Sequence, residues 1–235
     1  MSHFSYVGDE LHTFAAATTW KAYFGRRVRR HVKGDVLEVG AGIGSMTRAL
    51  CRRHHRSWVC LEPDAGLADT FRARAAQEPF PVPVEMRTAT SRELGAAEKF
   101  DTIVYCDVLE HLADDREEME VAAGHLRPGG HVIVLCPAHQ FLYSPFDKAI
   151  GHFRRYDAGM YRALRPAGLV LRRIFYLDAA GMALSMANRL VLKESAPTPK
   201  QVRFWDRVVV PVSKVLDPLL GRRVGKSVVG IWRAA

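Results

Sequence analysis

Three glycines, Gly40, Gly42 and Gly44, alternate with small or apolar residues in VLEVGAGIGS, directly after an apolar run. Glycine at that spacing lets the backbone turn tightly and approach a ligand closely, and the amides that open the following helix would face a polar or anionic group. Glu62 closes the next apolar run, where an open α/β sheet places an acid that grips ribose hydroxyls. Turn and acid together predict a nucleoside site. Taken singly, each has a plainer role: such a loop also serves as a mere turn, and an acid after a strand also caps a helix, as Asp64 is placed to do.

Proton chemistry would fall to histidine. His139 and His152 follow the fifth predicted strand, at the carboxyl edge where open sheets bind ligands, and either could take a proton from a hydroxyl near neutral pH. His139 is the first choice of base, His152 the second and His111 a third, with a structural role competing in each case. Arg154 and Arg155, beside Tyr156, could fork onto a carboxylate, phosphate or sugar acid of an acceptor, or bridge internally to Asp147 or Asp157. One arginine is expected in each role. Tyr143, Asp147 and Tyr156 complete the candidate acceptor set.

Holding these residues requires strands that alternate with helices. Apolar spacing predicts a helix over 11–32, a strand at 36–39, a helix over 45–53 behind the glycines, a strand at 58–61 and a helix over 65–77. Strands near 84–86 and at 100–106, a helix over 115–125, and a turn at 126–130 leading into a strand at 131–136 continue the pattern. Such alternation argues for a parallel sheet covered on both faces. Beyond Pro137 come a polar and aromatic segment, a helix over 158–165, a strand near 169–175, a basic apolar region and a closing strand at 227–232. A single domain over 1–235 is expected, with a helical cap at 1–33 and acceptor-side insertions at 137–220.

Composition narrows the class. Nearly half of the 235 residues are hydrophobic and a quarter charged, which is globular and far from the disordered regime. The formal charge of +9 favours anionic partners, but the arginines fall in separate pairs rather than one run interleaved with aromatics, which disfavours nucleic acid. Cys51, Cys60, Cys106 and Cys136 are far apart, without the close pairing of zinc sites, so core thiols and no metal are expected. With no apolar leader or uninterrupted spanning segment, a cytoplasmic chain is expected, as a monomer or a homodimer. The apolar runs between Tyr176 and Leu220, interspersed with Lys and Arg, suggest helices that cap an acceptor pocket or touch a membrane surface; core packing or a dimer contact explains them as well.

VLEVGAGIGSMTRAL, CLEPD, FDTIVYCDVLEHLADD and LRPGGHVIVLCPAH resemble, in order and spacing, the S-adenosylmethionine-binding motifs of class I methyltransferases. NAD enzymes share the turn and the acid but show G-x-G-x-x-G and lack the D-V-L-E-H segment. Within the family the chain is similar to bacterial methyltransferases, some fused to glycosyltransferases, that carry P-x-H-x-x-L-Y-S-x-x-D and then G-H-x-R-R-Y. The resemblance implies a Rossmann-like, doubly wound, mostly parallel seven-stranded sheet with helices on both faces and the last strand antiparallel. It implies cofactor roles for Glu38, Gly40, Ala41, Gly42, Gly44 and Met46 at the methionine end, and for Glu62, Pro63 and Asp64 at the ribose. Asp107, Val108, Leu109 and Glu110 would line the sulfonium side, and Thr90 and Ser91 would sit near the adenine. Relatives often have an asparagine-tyrosine pair and a tryptophan at the positions of Thr19, Trp20 and Tyr23; here Trp20 and Tyr23 would either lid the cofactor or pack a helix onto the sheet. The expected reaction is methyl transfer from S-adenosylmethionine to a small-molecule or lipid-like acceptor, O-methylation being favoured. A nucleic-acid methyltransferase or binder, and an NAD-dependent oxidoreductase, remain as alternatives.

Overall fold

A computed structural model describes residues 10–191 and 197–235 of the chain; residues 1–9 of the expected cap and 192–196 of the expected acceptor-side segment lie outside the described residues. Its strands are β1 (Asp35–Val39), β2 (Ser57–Leu61), β3 (Val84–Arg87), β4 (Phe100–Cys106), β5 (Leu126–Pro137), β6 (Leu169–Leu177) and β7 (Ser227–Ala234). They form one sheet in the order β3-β2-β1-β4-β5-β7-β6. β7 runs antiparallel to β5 and β6, and the pairs from β3 across to β5 are parallel. This is the Rossmann-like sheet that the motif order implies. The central strands read apolar throughout, as in TIVYC and VIVLC, because both faces are covered.

The helices are α1 (Glu10–Ala15), α2 (Thr18–Val28), α3 (Ser45–Leu50), α4 (Ala65–Gln77), α5 (Asp115–Gly124), α6 (Pro145–Ala149), α7 (Ala158–Ala163), α8 (Ala179–Val191), α9 (Pro199–Phe204) and α10 (Val210–Leu219). A π-helical turn, Trp205–Val209, joins the last two. Alternate residues of the strands feed two separate cores: Val104 and Ile133 meet Phe24, Val28 and Trp58, while Ile103 and Val132 meet Met119, Tyr161 and Trp232.

Three elements differ from their sequence expectations. The helix expected over 11–32 is two, because the break between α1 and α2 is held from outside: the Lys21 amino group donates to the carbonyls of Phe14 (2.5 Å) and Ala15 (3.2 Å), and Asp206 accepts from Thr19 N (3.1 Å) and Trp20 N (2.8 Å). The helix over 45–53 stops at Leu50, where Cys51 turns extended. The turn expected at 126–130 is already part of β5, with a register irregularity opposite Phe100–Thr102.

Asp217 holds the other end of the helical layer. Its carboxylate accepts from Asp178 N (2.8 Å), Ala179 N (2.9 Å) and the Tyr23 hydroxyl (2.8 Å), so it caps α8 and ties α10 to α2. Asp206 and Asp217 thus clip the continuous helical run of 199–219 onto the body.

Candidate functional site

The carboxyl ends of β1, β2, β4 and β5 open into a cleft of about 1570 Å³, roofed by α1, α8 and α9. Pockets for one small molecule run to roughly 300–1000 Å³, so this cleft has room for two reactants.

One half of the cleft is built on the glycine turn. Gly40 and Ala41 donate to the Leu61 carbonyl (2.8 and 3.0 Å), which folds the turn across the end of β2. Gly42 N then donates to Glu62 Oε2 (2.9 Å), and Asp64 N to Glu62 Oε1 (3.0 Å). Burial pushes the Glu62 carboxyl up from its usual range, and the two amide bonds oppose it. Gly40 and Gly42 hold φ of +69° and +53°, and a Cβ on Gly40 would stand 2.5 Å from Val108, so this turn needs glycine. Thr88, Thr90 and Ser91 continue the wall after β3, with Glu93 accepting from Thr90 N (2.7 Å) and Oγ1 (3.0 Å). Asp107, at φ +56°, and Val108 close it after β4. Burial raises Asp107 to about 6, against the opposing charges of Lys21 and Lys226.

Ala41, Met46, Pro63 and Trp20 also reach the wall. Glu38, Gly44, Asp64 and Leu109 do not. Glu38 lies behind the turn, accepting from Trp58 Nε1 (2.8 Å), and burial pushes it up to about 7. Gly44 packs on Phe71, Asp64 caps α4 through Leu67 N (2.9 Å), and Leu109 is in the core. Tyr23 is off the wall, engaged by Asp217, so of the two aromatics Trp20 alone is placed over the cleft. The residues that remain fit an adenosyl sulfonium: the turn offers bare backbone, and each Glu62 oxygen accepts one amide and keeps a second lone pair for a ribose hydroxyl.

The other half is built on the segment after β5. Asp147, at 1 % exposure, receives Arg155 through both Nε (2.8 Å) and Nη2 (2.9 Å), Ser144 N (2.8 Å) and Oγ (2.7 Å), and His152 Nδ1 (3.0 Å). Burial works to raise its carboxyl, and the His152 and Arg155 bonds outweigh it, holding Asp147 well below the usual carboxylate range. An ionised Asp147 fixes the proton of His152 on Nδ1 and leaves Nε2 as an acceptor. That Nε2 stands 3.9 Å from Glu110 Oε1, and the His111 ring packs edge-on with centroids 4.5 Å apart. Glu110 is fully buried and neither of its oxygens makes a hydrogen bond among the described residues, so burial drives its carboxyl well above the usual range. Burial lowers His111 to about 4. The ligand atoms of Glu110, His111 and His152 lie within 4.8 Å of one another, close enough to hold a divalent cation as well.

His139, the first choice of base from the sequence, stands off the wall. Its φ of +66° and the bond from its amide to the Tyr156 carbonyl (2.8 Å) turn the ring onto Tyr176, stacked at 5.0 Å. His152 is on the wall, as are Tyr143, Asp147 and Arg155. Tyr156 is buried, donating to Asp115 (2.5 Å), and Arg154 bridges Asp115 (3.0 Å) away from the cleft. Both arginines are bridged, Arg155 to Asp147 and Arg154 to Asp115, while Asp157 caps α7 through Met160 N (2.8 Å) and Arg155 also lines the cleft. Arg155 still keeps a buried Nη1 with no hydrogen bond among the described residues.

Sequence reasoning missed Lys21 and Lys226, both on the wall, with Trp205 beside them. Burial lowers Lys21 to about 8, against Asp206 and Asp107, and Lys226 sits 5.6 Å over the Trp205 ring with its amine likewise lowered by burial. The signal for Lys21 was a lone cation in TTWKAYF, on the buried face of an amphipathic helix. All four cysteines are free thiols, three of them buried and Cys106 on the cleft.

Residues 37–132 match the family model described as methyltransferase domain. Over 120 residues the chain is 36 % identical to a ubiquinone biosynthesis O-methyltransferase of Rhizobium etli, covering 48 % of this chain and 46 % of that one. Over 112 residues it is 33 % identical to the protein of the same name from Paramagnetospirillum magneticum, covering 46 % and 44 %. The chain thus spans less than half the length of these curated relatives. Among solved structures, coclaurine N-methyltransferase bound to N-methylheliamine and S-adenosylhomocysteine superposes with a TM-score of 0.63 at 12 % identity, covering 93 % of this chain and 72 % of that one. An N-methyltransferase of Bradyrhizobium japonicum in complex with S-adenosylhomocysteine gives 0.58 at 13 %, covering 93 % and 88 %. The chain has the fold of these enzymes.

Proposed function

We propose that this chain is an S-adenosylmethionine-dependent methyltransferase that methylates a hydroxyl of a small or lipid-like acceptor. The observation that carries the reading is the glycine turn bonded to the Glu62 carboxylate on the floor of a cleft wide enough for two reactants. The match of residues 37–132 to a methyltransferase domain and the O-methyltransferase relatives support it. In this reading residues 1–235 act as one cytoplasmic domain of the G-H-x-R-R-Y group, with 10–28 capping the donor and 137–220 supplying the acceptor side.

S-adenosylmethionine supplies a methyl group already activated by a sulfonium, so alignment and exclusion of water dominate what the protein must do. Glu62 and the Gly40–Gly42 turn hold the donor, and Trp20 with Phe14 covers it from α1 and α2. His152 is the base. Asp147 fixes its tautomer, Arg155 fixes Asp147, and Nε2 takes the acceptor hydroxyl's proton as the new carbon–oxygen bond forms and the sulfur leaves with its electron pair. Glu110, whose carboxyl burial drives well above the usual range, can donate a hydrogen bond to a second acceptor oxygen in its protonated form.

Transfer of labelled methyl from S-adenosylmethionine to a panel of phenols, catechols and polyprenylated phenols tests the reading. Transfer to at least one, abolished in His152→Gln, is expected; transfer to amines alone, or full activity in that variant, would remove the hydroxyl-and-base account.

A further inference from the structure

The two aspartates that clip residues 199–219 to the body leave an outer face of unusual composition. Phe204, Val208, Val212, Val215 and Leu219 follow one another at steps of three and four and are all exposed, Val215 by 62 % and Leu219 by 76 %. Residues at those steps share one side of a helix, and the stripe from Phe204 to Leu219 is about 22 Å long. The segment's acids, Asp206 and Asp217, are both buried, so each exposed charge along it, Lys200, Arg203 and Arg207, is positive. Arg223 follows just past its end, also exposed. None of these four forms an ion pair among the described residues. Soluble surfaces scatter apolar side chains singly, whereas a contiguous apolar stripe beside a cationic margin marks a surface made for a partner.

The stripe also begins at the cleft. Phe204 and, on α8, Leu184 are exposed and at the same time line the cleft wall. An apolar molecule lying along the stripe would therefore meet the mouth of the site without crossing water.

We propose that the outer face of residues 199–219 is a docking surface for an anionic lipid bilayer, lying in the interface with Phe204, Val208, Val212, Val215 and Leu219 among the acyl chains and the lysine and arginines on the phosphates. The apolar stripe supplies burial and the acid-free margin supplies charge complementarity, the two components that interfacial helices combine. No helix among the described residues is long and apolar enough to cross a membrane, so the attachment is peripheral. Delivery of a lipid-like acceptor through the Phe204–Leu184 mouth rests on the proposed function; the docking itself does not.

The test is co-sedimentation of the full chain with phosphatidylcholine vesicles and with phosphatidylglycerol-rich vesicles at low and high salt, for the wild type and for Val215→Glu/Leu219→Glu. Both positions are exposed, so the variant should fold, and an unchanged melting temperature checks this. The wild type should sediment with the phosphatidylglycerol vesicles, less so at high salt, and the variant should partition at least about tenfold more weakly. Binding of S-adenosylhomocysteine by the variant should be unchanged. Absence of wild-type binding to either vesicle, equal partitioning of the variant, or a wild-type dimer that the double substitution splits would overturn the proposal, the last assigning the face to a second copy. A wild type that binds vesicles but not S-adenosylhomocysteine would refute the proposed function and leave the docking intact.

Discussion

Glu38 offers a clean measurement of how the glycine turn is underpinned. Its carboxyl is wholly buried behind the turn, with one oxygen accepting from Trp58 Nε1 and the Cys60 thiol 4.0 Å from it, and burial raises it from 4.5 to about 7 against the hydrogen bonds of Thr47 and Trp58. A carboxyl whose folded value is raised binds its proton more tightly in the folded state, so its contribution is complete below pH 4.5 and disappears as the pH climbs through about 7. Its full extent is about 3 kcal/mol, of which roughly 2.5 kcal/mol is lost between pH 5 and pH 8. For a chain of this length that is about 5–10 °C in melting temperature. Glu38→Gln keeps an acceptor for Trp58 Nε1 and cannot titrate. Melting both proteins at fixed ionic strength from pH 5 to 8 cancels the other groups, and the wild type should lose that amount relative to the variant. A constant offset across the range would show that Glu38 is not a buried neutral acid, and the reasoning would fail.

Four further outcomes follow from the site. His152→Gln and Asp147→Asn should each lower kcat by about 10²- to 10⁴-fold while leaving S-adenosylhomocysteine affinity within about twofold, and a loss confined to KM would deny them a part in proton transfer. Because Asp147 is held below its usual range when folded, it stabilises the protein at neutral pH and that contribution is lost as the pH falls below the ordinary carboxylate range; Asp147→Asn should melt with a flatter acid limb. Gly40→Ala places a methyl 2.5 Å from Val108 at a φ of +69°, so it should weaken donor binding at least about tenfold, and Val108→Ala in the same chain should restore part of it by removing the clash but not the strain. Chelation with EDTA should leave turnover unchanged if His152 acts as a base. Activity lost and then restored by one divalent cation would make Glu110, His111 and His152 ligands instead.

Much of the fold was legible because its determinants are local. The strand, glycine turn and helix of 35–50, the acid Glu62 and the helix Ala65–Gln77 all announce themselves within a few neighbouring residues. What was hidden depends on partners far along the chain. The break between α1 and α2 is set by Asp206, some 186 positions away, and no spacing in residues 11–32 records it. Which of the two candidate histidines lines the cleft has the same character: both follow the same strand, and only the positive φ at His139 and the Asp147–Arg155 clamp at His152 decide which ring reaches it. Asp217 and Asp206, two acids within an apolar region, are the buried pins that turn its apolar stripe outward, and no local spacing records that role.

The most direct measurement is titration calorimetry of the purified chain with S-adenosylmethionine and S-adenosylhomocysteine, repeated with Glu62→Ala. Both ligands should bind the wild type, and losing the Glu62 carboxylate should weaken them about 10- to 100-fold, the worth of one or two hydrogen bonds to a charged acceptor. Absence of heat with either ligand, or equal affinity in Glu62→Ala, would contradict the donor site and everything built on it.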